Sequence, residues 1–364
     1  MLGVVAVIGT GLIGASAGLA ANAAGAERVR GWDPDPEVLR IAAERGAVEP
    51  ADSLEEAVAD ADLVLVAAPV ASVPSAVRAV LAAAPEGCAV TDVGSTKGAV
   101  CAAAGGDGRF IGGHPICGAE TRGPERANGE LFADATWFLT PTAGTGPNLL
   151  RKVHGFVTAL GARPVAIDAG AHDRLVAVTS HLPHALANVL LNQAGASRID
   201  GHDPLQAAGG SLRDMSRIAG ANPRIWVDIF LDNADQLTEA LAEHRRRVEQ
   251  LQGWVSARDA GSLARWVAEA SENRRRMLAE AYPDPGALQR VTVHVPDRPG
   301  VLAGITQALG AERINIEDFE LRHFSPERGG VLTMLVSGEG AAERAAALLE
   351  AQGYGVSVSS VLGE

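Results

Sequence analysis

Four polar islands carry the side chains able to do chemistry in this 364-residue chain: Thr91–Gly98 (TDVGSTKG), Gly112–Gly123 (GGHPICGAETRG), Thr179–Asn188 (TSHLPHALAN) and Gly209–Trp226 (GGSLRDMSRIAGANPRIW). His114 follows a strand-like run and precedes a proline. An imidazole, with an ordinary pKa of about 6.5, can take or give a proton near neutral pH. His181 and His184 are three residues apart on a helical stretch, so they share a face. Asp214 and Arg217 have the same spacing beside a Gly-Gly turn, and the planar fork of an arginine suits a carboxylate. Two histidines at that spacing invite a metal, but no third ligand stands at matching spacing, so no metal site is expected. A proton-handling imidazole with an anion-holding guanidinium suits the oxidation of an anionic substrate, provided a hydride acceptor is held nearby.

The opening stretch supplies that acceptor. No charged side chain precedes Glu27, which by itself fits a membrane or export segment. No Lys or Arg precedes the apolar run, however, and its glycines are ordered rather than scattered. Val4–Ile8 reads as a buried strand, Gly9-Thr10-Gly11-Leu12-Ile13-Gly14 is G-x-G-x-x-G, and Ala15–Ala24 favours helix. In such a turn the first glycine bends the chain, the second admits a pyrophosphate, and the third lets helix and strand pack closely. A second strand, Arg28–Trp32, ends at Asp33, 19 residues past Gly14. That carboxylate would accept bonds from the adenosine ribose and repel a 2′-phosphate, so NAD is expected rather than NADP. The turn residues Gly9 to Gly14, with Asp33 and the strand-end residues Pro69 and Ser95, form the expected cofactor site.

Other elements must position these groups. Further strand patterns at Asp62–Pro69, Gly87–Ser95 and Arg109–Pro115 alternate with helices, as in a doubly wound parallel sheet whose ligands sit at the carboxyl ends of the strands. Thr140–Asn148 (TPTAGTGPN) breaks the pattern, and Leu149 to about Ala281 reads as largely helical, with one long amphipathic stretch or two from Arg224 to Val255. Tyr282–Ala287 is a proline-rich linker, and the remainder reads β-α-β-β-α-β, a ferredoxin-like module. The fold class is therefore α/β: a Rossmann-type NAD-binding domain over 1–146, an all-α substrate and dimerisation domain over 147–281, and a ferredoxin-like domain over 287–364. The formal net charge of −13 argues against nucleic acid as a partner. Three cysteines without CxxC spacing fit a reduced cytoplasm, and no later segment reaches membrane-spanning length without charges.

On GTGLIG, DVGSTKG, GGHPICGAE, SHLPHALANVL and GGSLRDMSRIAGANPRIWVDIFLDN, the chain resembles the prephenate/arogenate dehydrogenase family of tyrosine biosynthesis over nearly its whole length. Its last module, on PDRPGVL and RINIEDFE, is similar to an ACT domain. The resemblance implies NAD-dependent oxidative decarboxylation of prephenate to 4-hydroxyphenylpyruvate, or of arogenate to tyrosine. An amino-substituted prephenate is a further candidate substrate, and an NAD- and amino-acid-binding sensor is the non-enzymatic alternative. By motif position, His114 would polarise or deprotonate the ring hydroxyl and Ser95 would orient both. Arg217 would hold a substrate carboxylate and Asp214 would fix Arg217. His184, with Ser180 and His181, would contact the substrate side chain or the nicotinamide region. Glu120 would stand at the pocket mouth and Trp226 would wall the pocket. Gly300 and Asn315 would bind an amino-acid effector, tyrosine or phenylalanine, and the enzyme would be a cytoplasmic homodimer.

Overall fold

The computed structural model describes residues 2–117, 122–282, 284–325 and 329–361, in two compact units that meet in sequence after Arg246. Glu120 lies outside the described residues.

The first unit opens with β1 (Val4–Ile8), α1 (Leu12–Ala23), β2 (Arg28–Trp32), α2 (Pro36–Glu44), β3 (Glu49–Pro50), α3 (Leu54–Val58) and β4 (Leu63–Val66). It continues with α4 (Val73–Ala83), β5 (Ala89–Asp92), α5 (Gly98–Ala103), β6 (Phe110–Pro115), β7 (Thr136–Thr140), α6 (Pro147–Ala159) and β8 (Arg163–Ala166). The strands form one sheet in the order β3-β2-β1-β4-β5-β6-β7-β8. Ladders are parallel up to β6, β7 runs antiparallel to β6, and β8 is parallel to β7.

The absence of charge in the opening stretch has a structural cause. Val5 and Val7 of β1 face one apolar core, and Ala6 and Ile8 face the other. Leu63 and Leu65 of β4 divide from Val64 and Val66 in the same way. A central strand covered on both faces reads as a continuous apolar run. The sheet does not stop at the Thr140–Asn148 break, where the first domain is expected to end. Helix α6 and strand β8 carry it on to Ala166, with Val153, Phe156 and Val157 in the same core as β1. The all-α segment therefore begins at about 168. Four-residue β8 was hidden by its weak pattern, since its residues are mostly exposed. Ser72 precedes α4 as expected but makes no side-chain cap.

The helical part comprises α7 (Ala169–Val176), a π-helical turn at Ala177–His181, α8 (Leu182–Ala196), α9 (Gly210–Met215), α10 (Pro223–Asp232) and α11 (Ala234–Ala257). The long amphipathic stretch is thus two helices, broken at Asn233, whose side-chain amide is bonded elsewhere.

The second unit takes the end of α11, α12 (Ala260–Ala281), β9 (Leu288–Val295), α13 (Val301–Ala311), β10 (Asp318–Ser325), β11 (Gly329–Ser337), α14 (Glu339–Ala351) and β12 (Gly355–Ser360). Its four strands pair antiparallel in the order β10-β11-β9-β12, which is the ferredoxin-like arrangement. Val291 and Val293, Leu332 and Met334, and Ile305, Leu309 and Leu349 from the two helices close its core. Gly300 caps α13 with φ +89°. Asn315 lies in the turn before β10 rather than in a strand, and its amide donates to Glu317 at 3.0 Å.

Candidate active site

The carboxyl ends of the parallel strands hold the expected dinucleotide turn. Gly9 has φ +92°, and a Cβ there would lie 2.6 Å from the Ala67 carbonyl oxygen, so only glycine makes this bend. A Cβ on Gly14 would lie 1.9 Å from the Gly9 oxygen, which explains the close approach of α1 to β1. Gly11 has open space where its Cβ would be, and α1 has neither a side-chain cap nor an acidic residue in its first turn. An uncapped helix N-terminus and a glycine with no side chain to obstruct it are what a pyrophosphate requires. Asp33 ends β2, and its carboxylate accepts the Thr10 amide at 2.7 Å and the Asp35 amide at 2.9 Å. Pro69 leads from β4 into the short Val70–Ser72 turn. The residues present fit a dinucleotide.

At the same edge of the sheet, β6 presents His114. Its Nδ1 is 2.9 Å from Nε2 of His172, and Nδ1 of His172 is 2.8 Å from Asp173 Oδ1. Asp173 also accepts the amides of Lys97 at 2.8 Å and Gly98 at 2.7 Å. Burial pushes its carboxyl pKa up, but the bonds from His172 and the two amides outweigh this and hold it below the usual value. An ionised Asp173 places a proton on Nδ1 of His172. In the neutral tautomer of His172, Nε2 is bare and accepts Nδ1–H of His114. Nε2 of His114 is then left as a free acceptor. Burial, then the Lys97 ammonium, then His172 and His181, drive the His114 pKa well below its ordinary value, so the ring is neutral near pH 7. Phe138 of β7 packs edge-on against His172.

The side chain bonded to His114 Nδ1 is His172. Ser95 lies half-buried in the turn after β5. Three more groups brace the relay. Asn233 donates to the Asp173 carbonyl at 2.9 Å and to His181 Nδ1 at 3.1 Å. Thr96 donates its hydroxyl to Asp232 at the end of α10. His181 is only 2% exposed and its pKa is lowered to about 4, chiefly by burial. It packs edge-on against Trp226 and accepts the Asn233 amide.

His184 and Trp226 form a second wall. Their rings stack at 3.5 Å and 28°, with Phe230 tilted against the indole at 5.4 Å and His181 edge-on at 6.3 Å. The π-helical turn ends at His181, and the shared face expected for the two histidines is the one that meets Trp226. Burial lowers the His184 pKa, against a backbone hydrogen bond at Ile218 that raises it. Ser180 is half-buried in the π-helical turn. Asp214 lies in α9 and Arg217 in the exposed turn after it, with the Arg217 amide bonded to the Asp214 carbonyl at 3.3 Å.

Sequence reasoning missed His172, Asp173, Asn233 and the structural part of Lys97. A signal for the first was present. His172 and Val176 are one helical turn apart and both are buried, so an imidazole occupies a core position of α7.

A parallel sheet with an open dinucleotide turn, a neutral imidazole with a free nitrogen, and an aromatic wall define a nucleotide-dependent dehydrogenase carrying a separate ferredoxin-like module. Comparison with known proteins narrows the class. Residues 17–166 match the family model "Prephenate dehydrogenase, nucleotide-binding domain", 168–269 match "Prephenate dehydrogenase, dimerization domain" and 289–353 match "ACT domain". A prephenate dehydrogenase of Bacillus subtilis (strain 168) is 31% identical over 354 residues, covering 94% of this chain and 95% of that one. The crystal structure of Synechocystis arogenate dehydrogenase superposes with TM-score 0.70 at 27% identity, over 75% of this chain and 99% of that one. That of Aquifex aeolicus prephenate dehydrogenase, in complex with hydroxyphenyl propionate and NAD+, gives TM-score 0.70 at 28% identity, over 76% and 98%. The chain belongs to the prephenate dehydrogenase family.

Proposed function

We propose that the chain oxidises prephenate with NAD, and that His114 takes the hydroxyl proton. It is an NAD-dependent oxidoreductase of this family, and its relatives support that assignment. The observation that carries the residue-level reading is the Asp173–His172–His114 chain at the edge of the sheet that holds the Gly9–Gly14 turn. Bound NAD supplies a hydride acceptor for the ring carbon that bears the hydroxyl. Nε2 of His114 accepts the hydroxyl proton as that carbon becomes a carbonyl, and Nδ1–H keeps its bond to His172. Loss of CO2 then returns an electron pair to the same oxygen, which takes the proton back and leaves an aromatic ring. A low His114 pKa favours that return.

Ser95 is assigned to the hydroxyl, Arg217 to a substrate carboxylate with Asp214 fixing it, and His184 on Trp226 to the side-chain end. Glu120 is assigned to the pocket mouth. The partner of the chain is a second copy. On the helical part, Val178, Val189, Met215, Val227 and Leu231 are exposed, Leu231 by 71%. Large apolar side chains left exposed in this number on one helical part support a partner chain there. Tyrosine or phenylalanine is the proposed ligand of the ACT module. A cytoplasmic location is also proposed, supported by three free cysteines. Among the described residues, no helix is long and apolar enough to cross a membrane.

The test is absorbance of the reduced cofactor after mixing the protein with NAD and prephenate, or with NAD and arogenate. Turnover of prephenate is expected. Turnover of arogenate alone would move the assignment to the other side chain, and no signal with either would refute the proposal.

A further inference from the structure

Lys97 is one of only two lysines among 31 basic residues, the other being Lys152. Its side chain is 0% exposed. A lysine is rarely fully buried unless it is paired, and the partners here lead to one place. Nζ pairs with Asp92 Oδ2 and donates to the Gly113 carbonyl at 2.7 Å. Asp92 Oδ1 accepts the Gly113 amide at 2.9 Å, and its Oδ2 accepts the Gly94 amide at 2.8 Å. Both polar groups of the residue before His114 are thus clamped by one buried ion pair. A Cβ on Gly113 would come within 2.4 Å of the Asp92 carbonyl, so β6 is pressed against β5 at this point. The backbone amide of Lys97 holds the other end, Asp173, at 2.8 Å.

We propose that Lys97 is the positioning residue of the site: its ammonium fixes the peptide that carries His114, and its amide fixes the carboxylate that orients the relay. This rests on the reading of His114 as the proton acceptor. Arginine supplies nearly all other positive charge in this chain. A compact ammonium on a flexible stem reaches a single carbonyl and a single carboxylate at this fully buried position. The charged and titratable groups facing His114 are Lys97 and Asp92 from the β5 side, His172 and Asp173 from α7, and His181 from the π-helical turn. Of these, Lys97 is the cation whose removal would let His114 protonate more easily.

The experiment compares Lys97→Met, Asp92→Asn/Lys97→Met and His114→Ala with the wild type. Folding is followed by circular dichroism and by NAD binding, since the Gly9–Gly14 turn is untouched. The double variant leaves no unpaired buried charge, so it reports even if Lys97→Met fails to fold. The expected result is kcat lower by about 10–100-fold from a displaced imidazole. The KM for NAD should stay within about twofold, as binding outside the reacting centre is unchanged. In Lys97→Met, where the cation is lost and Asp92 stays, the acid limb of kcat/KM should move to higher pH. A folded double variant with wild-type kcat would overturn the proposal. So would failure of both variants to fold, which would assign the pair to the fold alone. If His114→Ala keeps the wild-type rate, the reading of His114 itself is lost. If it is inactive while the Lys97 variants are normal, only the role of Lys97 is lost.

Discussion

His114→Ala is expected to lower kcat by about 10²–10⁴-fold, the contribution typical of a positioned acid–base group. NAD affinity should stay within about twofold, because the cofactor turn and Asp33 share no bond with His114. Two features make the loss large. The imidazole is the member of the relay with an unused nitrogen, since His172 is spent on His114 and Asp173. Its neighbours also cannot replace it: His181 is 2% exposed and bonded to Asn233, and His184 is stacked on Trp226. Steady-state kinetics with prephenate and NAD measures the effect. A drop in kcat of less than about fivefold would leave no essential proton transfer for His114 to perform.

Asp173→Asn has the second-largest expected effect and separates proton assignment from mere presence of the histidine. Asp173 accepts three donors: Nδ1 of His172 and the amides of Lys97 and Gly98. Asparagine offers one oxygen and an NH2 group to the same three. If its oxygen stays with the Gly98 amide, the NH2 replaces the oxygen that His172 and Lys97 share, faces His172 and forces its proton to Nε2. That proton would then oppose Nδ1–H of His114, whose own proton must move to the Nε2 that should accept from substrate. The result is a folded site in the wrong tautomer, and kcat is expected to fall by about 10²–10⁴-fold. Stability should fall by about 1–3 kcal/mol from the unsatisfied buried donor. Kinetics and thermal denaturation together check this. A variant that is less stable but fully active would show that Asp173 only anchors α7.

The fold and the site were legible to different depths. The strand Val4–Ile8, the turn at Gly9–Gly14 and Asp33 stood out because local spacing alone fixes them: the glycines are dictated by backbone geometry within one βαβ unit. The ferredoxin-like module was readable for a similar reason, since period-two strands alternate with two short amphipathic helices. Strand β8 was not, because four mostly exposed edge residues carry little pattern. At the site, His114 was visible from its place after a strand. The residues that hold it were not. His172 and Asp173 lie 58 and 59 positions beyond His114 in sequence, and Asn233 lies 60 residues beyond Asp173. Only tertiary packing brings them together. Ser95 takes its expected role from the family resemblance at DVGSTKG, whereas the contact of His114 with α7 has no counterpart in any local pattern. Lys97 stands within the motif TDVGSTKG, but a sequence does not show that a lysine is buried.

The central claim is that a neutral His114, held by Asp173 through His172, accepts the substrate proton. The pH dependence of kcat/KM for prephenate tests it most directly, because that ratio reports protonation in the free enzyme. A protonated His114 has no lone pair to offer, so activity is lost as pH falls through its pKa. Burial, Lys97 and the neighbouring histidines place that pKa well below the ordinary imidazole value. The profile is therefore expected to stay flat as pH falls from about 7.5 through about 6.5, with its acid limb at lower pH. An acid limb centred at or above about 6.5 would contradict it, because the essential group would then be an ordinary, solvent-exposed histidine or another residue altogether.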